Sequence, residues 1–100
     1  MDMEERYRLI MSTIFNAIGC RVMVEQMIST GRIDMVVETT NIIYVLELKL
    51  SNNGGLYAAE KQIKNNQYTE PFKADKRRVI ALAVELDDKG KGLVDWKEVQ

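Results

Sequence analysis

The chain has no histidine and one cysteine, Cys20. The first absence removes Ser-His-Asp hydrolases, Cys-His proteases and imidazole-ligated metal sites. The second leaves no internal disulfide and no cysteine-based zinc site. Any hydrolytic chemistry must therefore come from carboxylates, lysine and a hard cation that prefers oxygen. No apolar run reaches the ~20 residues that cross a bilayer as a helix. The opening Met-Asp-Met-Glu-Glu-Arg does not have the shape of a secretory leader, so a cytoplasmic protein without a membrane partner is the expectation. Charge of one sign is lacking too. Fourteen Lys and Arg stand against 15 Asp and Glu, for a net charge of −1, which does not announce a nucleic-acid binder.

What is present describes one small folded domain over residues 1–100. A hydrophobic share of 46% with mixed charge belongs to a chain that builds a core, and a chain of this length has room for one modest core. Tyr7, Ile10, Met11, Ile14, Phe15 and Ile18 recur at helical spacing and predict a first helix with one apolar stripe. Asp2 suits its N-cap, with Glu5 as capping-box partner, and Gly19 suits its end. Three strands follow: Arg21 to Ile28, Arg32 to Glu38 after a Ser29-Thr30-Gly31 turn, and Ile42 to Leu50. Ser51 to Gly55 breaks the pattern. A second helix is expected from about Leu56 to Gln67, with Leu56, Ala59 and Ile63 inward, and Pro71 forbids carrying it far. Arg78 to Leu86 holds a continuous apolar run, as in a strand covered on both faces. Leu93 to Val99 alternates as an edge strand. The order αβββαββ predicts an α/β fold, a mixed central sheet flanked by helices, with a parallel crossover through the second helix.

The second and third strands carry the chemical argument. A tight turn at Thr40-Asn41 pairs Val37 with Tyr44, Met35 with Leu46 and Ile33 with Leu48, a consistent apolar face that a one-residue slip would destroy. The same register sets Asp34 opposite Glu47, with Cβ atoms ~4.5–5.5 Å apart, where like charges repel. Something must neutralise them, and two converging carboxylates suit Mg²⁺ or Mn²⁺. Lys49 lies two residues beyond Glu47 on the same face, ~6–7 Å along the strand. There its ammonium can balance the site and reach a phosphate or an attacking water. A surface Glu-Lys pair on an open sheet is the plainer alternative. Glu4 shares the apolar stripe of the first helix and either points toward the metal or lies on a solvated helix start. Gln62 flanks the inner face of the second helix and either holds a water or phosphate near the metal or is a surface glutamine. Lys61, Lys64, Lys73, Lys76, Arg77 and Arg78 crowd one stretch. They form either a phosphate track, with Lys61 and Lys64 as nucleic-acid contacts, or a solvated face.

The string Gly31-Arg32-Ile33-Asp34, then Glu47-Leu48-Lys49, then Gln62 followed by Tyr68, resembles the PD-(D/E)XK nuclease superfamily. The stretches Tyr44 to Lys49 and Tyr68 to Phe72, with the Asp95-Trp96 end, look like the branch found behind AAA-type ATPase regions. The residue before Asp34 is Ile33 where the family name has proline. The resemblance implies a restriction-endonuclease-like αβββαβ core and metal-dependent cleavage of DNA phosphodiester bonds with little sequence specificity. It implies Asp34 and Glu47 as metal ligands, joined by the Leu48 carbonyl and Glu4. Lys49 becomes the catalytic lysine, with Gln62 as the motif residue of the second helix. It also implies an AAA-type ATPase region as partner, which this chain does not contain. An inactive nuclease-like interaction domain is the alternative of a different class. A homodimer stays open.

Overall fold

In the computed structural model, which describes residues 1–100, the order is α1 (Met3–Ala17), β1 (Arg21–Ile28), β2 (Gly31–Glu38), β3 (Ile42–Leu50), α2 (Gly55–Asn65), β4 (Arg78–Leu86) and β5 (Leu93–Val99). One sheet holds all five strands in the order β1-β2-β3-β4-β5. β3 and β4 run parallel and the other neighbours antiparallel. This is the mixed α/β architecture expected. No helix is long and apolar enough to cross a membrane.

Local chemistry sets the element ends. The Glu5 N–H donates to Asp2 and the Asp2 N–H donates to Glu5, a complete capping box on α1. Gly19, at φ +97°, ends it: Cys20 N–H reaches the Phe15 carbonyl and Gly19 N–H that of Asn16, a Schellman closure. α2 ends two residues earlier than its periodicity predicts, by the same device built on glutamine. Gln67 adopts φ +51°, Gln67 N–H bonds Lys64 and Tyr68 N–H bonds Ile63. Because glutamine rarely takes that conformation, the stop was not legible in the sequence. The other end of α2 is capped from a distance. Glu85 on β4 accepts from Leu56 N–H at 3.0 Å and from the Ser51 hydroxyl at 2.6 Å.

The sheet separates two apolar layers. Ile33, Val36, Ile43, Val45, Ala81 and Ala83 meet Ala59 and Ile63 of α2, with Tyr68. Met35, Val37, Leu46, Leu48, Val84 and Leu86 meet Tyr7 of α1, with Met11 and Phe15 packed on them. The stripe predicted on α1 is only half used. Ile10 and Ile14 are 54% exposed and Ile18 71%, because α1 rests on β1 to β3 and leaves its far flank uncovered.

The expected pairing of Ile33 with Leu48 does not form. The β2–β3 ladder runs from Glu38↔Ile43 to Met35↔Leu46 and stops. Beyond it Ile33 joins the α2 layer while Leu48 stays in the α1 layer. β1 does the same: Val22 packs with the α1 layer, Met23 and Ile28 with the α2 layer, so strict alternation breaks between residues 23 and 28. The register is unchanged on either side, Val24↔Met35 and Gln26↔Ile33. Both strands swap faces at Glu25 and Asp34, and Glu25 stands at φ +52°, a strained value for a non-glycine residue in a strand.

Candidate active site

The swap opens the sheet where the two acids meet. Leu48 N–H, which a regular ladder would give to a β2 carbonyl, donates instead to Asp34 Oδ2 at 2.8 Å. Asp34 and Glu47 are the only charged residues buried in the protein, at 4% and 1% exposure. They line an open cleft of about 380 Å³ together with Lys49, Gln62, Arg32, Met27 and Gly31. Lys49 Nζ lies 3.3 Å from Glu47 Oε2. Gly31, at φ +154°, starts β2; a Cβ there would stand 2.9 Å from Asn66 Nδ2 and displace that side-chain amide.

Tyr68, fully buried just past α2, joins the parts. Its hydroxyl lies 2.7 Å from Glu47 Oε1 and 2.7 Å from the Arg32 carbonyl, and accepts from Gln62 Nε2 at 2.8 Å. A phenol has one proton and cannot donate to both acceptors. The hydroxyl donates to Glu47 Oε1 or to the Arg32 carbonyl, and accepts from Gln62. Burial first, and then the charge of Asp34, push Glu47 from 4.5 up to about 8, against the opposing pull of the Tyr68 hydrogen bond and Lys49. Burial, and then Glu47, push the Tyr68 phenol up as well, so it stays protonated at neutral pH.

The remaining expected residues fall as follows. Glu4 is close enough to feel Asp34 and Lys49. Burial first, then Asp34, raise its pKa, while Lys49 and Arg8 lower it. It pairs with Arg8 at 3.6 Å and does not line the cleft, and no group of three acids converges anywhere in the protein. Leu48 buries its side chain in the α1 layer, with its main chain directed at Asp34. Gln62 reaches the site through Tyr68. Lys61 is exposed on α2 and Lys64 pairs with Glu60 at 3.3 Å, neither lining the cleft. Lys73, Arg77 and Arg78 are also paired with carboxylates, so most of the basic stretch is internally neutralised. Tyr68 and Arg32 entered the sequence reading only as letters of a motif. A lone tyrosine after a helix carries no periodic signal, and only the fold brings it to Glu47.

Residues 2–96 match the sequence model of the PD-(D/E)XK nuclease superfamily. The chain belongs to that superfamily. No curated protein and no solved structure is significantly similar to it. PD-(D/E)XK proteins are nucleases as a class and generally use divalent metal ions. The donor set of this PD-(D/E)XK domain fits such an ion. Two buried carboxylates side by side, one of them held protonated up to about 8, suit a hard cation, and Mg²⁺ is commonly held by one or two carboxylates, completing its shell with water and substrate phosphate.

Proposed function

We propose that this domain is a metal-dependent deoxyribonuclease that hydrolyses DNA phosphodiester bonds with little sequence preference. The observation that carries the reading is the pair of acids, Asp34 and Glu47, buried in an otherwise apolar core at the floor of an open cleft. Burying two like charges costs several kcal/mol unless a partner compensates, and Lys49 alone leaves Glu47 raised. Asp34 and Glu47 would hold Mg²⁺ or Mn²⁺, with the Leu48 carbonyl and Glu4 as the further ligands that the family resemblance implies. Bound there, the ion would polarise the phosphate and acidify a water. Lys49, at the mouth of the pair, orients the attacking water and offsets charge growing on the phosphate. Gln62 and Tyr68 keep Glu47 in place by hydrogen bonding. Lys61 and Lys64 extend the contact along the DNA backbone, and the protein works in the cytoplasm.

Calorimetric metal titration and cleavage of labelled DNA by wild type, Asp34→Asn and Lys49→Ala test this. Asp34→Asn should lose both metal binding and cleavage. Lys49→Ala should keep metal binding and lose cleavage by at least about a hundredfold, because an ammonium is not a ligand. Cutting by Lys49→Ala at the wild-type rate removes Lys49 from the mechanism.

A second reading rests on a different surface. Ile18, Cys20, Tyr44 and Leu82 border an apolar groove of about 320 Å³ on the α1 side, beside the exposed Ile14 and Ile18. Surface of this kind suits an inactive nuclease-like domain that docks an ATPase region or another partner. Wild-type protein that binds metal and DNA but cuts no form of DNA would decide for it.

A further inference from the structure

The cleft contains a second cation to which no role has been given. Arg32 stands two residues before Asp34 on β2 and lines the same cleft as Asp34, Glu47, Lys49 and Gln62. Lys49 is engaged by Glu47. The Arg32 side chain is 52% exposed and makes one ion pair, Nη1 to Glu25 Oε2 at 3.2 Å. No other hydrogen bond in the protein engages its guanidinium. A planar fork with open donors beside a metal-type carboxylate pair is suited to two-pronged capture of a phosphate.

The surroundings favour exchange of partners. The Arg32–Glu25 pair is exposed and weakly held, as such pairs are. Glu25 is not left unpaired when Arg32 departs, because its Oε1 remains 3.1 Å from Arg8 Nη2. The main chain of Arg32, by contrast, is fixed. Its carbonyl lies 2.7 Å from the Tyr68 hydroxyl, the same hydroxyl that contacts Glu47. The base of the Arg32 side chain is thus tied to the buried acids while its guanidinium can swing.

Resting on the nuclease reading, we propose that Arg32 grips a backbone phosphate of the nucleic-acid strand lying in the cleft, leaving Glu25 to do so. Glu25 is a placeholder anion: it keeps the guanidinium extended at the cleft when no strand is bound, and Arg8 holds it when one is.

The test uses a fluorescently labelled duplex and its separated strand, titrated with wild type, Arg32→Ala, Arg32→Lys and Glu25→Gln in Ca²⁺ over a range of salt. Cleavage kinetics in Mn²⁺ run alongside. Arg32→Ala should weaken binding about ten- to a hundredfold, equally for unrelated sequences, and make the salt dependence shallower by about one phosphate contact. In cleavage it should raise KM with kcat little changed, the signature of lost uniform binding. Arg32→Lys should fall between, keeping the charge without the fork. Glu25→Gln should tighten binding by removing the competing anion. Melting curves confirm that each variant folds. Wild-type protein that cuts DNA while Arg32→Ala keeps its KM and salt slope overturns the role of Arg32 and leaves the nuclease reading standing. Wild-type protein that binds through Arg32 but never cuts supports the phosphate grip and overturns the catalytic reading. Wild-type protein that binds neither probe overturns both.

Discussion

Glu47→Gln in metal-free protein isolates the electrostatic strain at the site. In the unfolded chain Glu47 ionises near its ordinary value of 4.5, and in the fold it holds its proton to about 8. Between those values the folded state binds a proton that the unfolded state has released, so stability must fall as pH rises through the window. Below it both states are protonated and the penalty is absent; above it both are ionised and the penalty is complete. At about 1.36 kcal/mol per pH unit the gap from 4.5 to about 8 amounts to roughly 5 kcal/mol, a large part of the ~5–15 kcal/mol that stabilises a small domain. Glu4, also raised, acts in the same direction. The window is otherwise quiet, because the chain has no histidine, and the lowered acids Glu60, Asp75 and Glu85 titrate beneath it. Glutamine cannot ionise and its amide can still bond to Tyr68, so Glu47→Gln should lose most of the slope from pH 5 to 8, keeping the part that Glu4 contributes, and overtake wild type as pH rises. Thermal melts in chelator at steps of pH check this: about 3.5 kcal/mol of the penalty falls between pH 5 and 8, so wild-type Tm should fall by about 15–30 °C, since 1 kcal/mol moves Tm by about 4–8 °C in a domain of this size. A wild-type stability that is level from pH 5 to 8, or a Glu47→Gln slope as steep as wild type, would refute the buried-acid account.

Divalent cation binding should release protons and tighten about tenfold per pH unit below about 8, because the ion needs Glu47 ionised; calorimetry in buffers of different ionisation heat counts the protons. Saturating Mn²⁺ should raise Tm most at high pH, and the rise should shrink in Glu47→Gln. Glu85→Ala removes the cap on Leu56 N–H and the Ser51 bond and should cost about 1–2 kcal/mol, the usual price of a lost helix cap; denaturant melts give the value, and one indistinguishable from wild type would show that water satisfies α2 there.

Much of the fold was legible because local rules and tertiary demands agree. The capping box of Asp2 and Glu5, the breaks at Gly19 and Ser51 to Gly55, and the continuous apolar run of β4 each have a local cause. So does the β2–β3 hairpin, whose register follows from two apolar faces that tolerate no slip. Through it the sequence alone placed Asp34 and Glu47 one step beyond Met35↔Leu46, the last pair the ladder forms, with Lys49 beside them. Tertiary structure decided what lies beyond that register. The face swap at Glu25 and Asp34 sends Ile33 to one layer and Leu48 to the other, and at it a buried carboxylate takes a main-chain donor from the next strand. Half of the α1 stripe stayed in solvent because the helix covers only part of the sheet. Tyr68 reaches Glu47 from a distant point of the chain, and its hydroxyl ties in the Arg32 carbonyl. Periodicity reports which face of an element a residue occupies, whereas a hydrogen bond between residues 21 positions apart depends on how whole elements pack, and only the folded chain determines that.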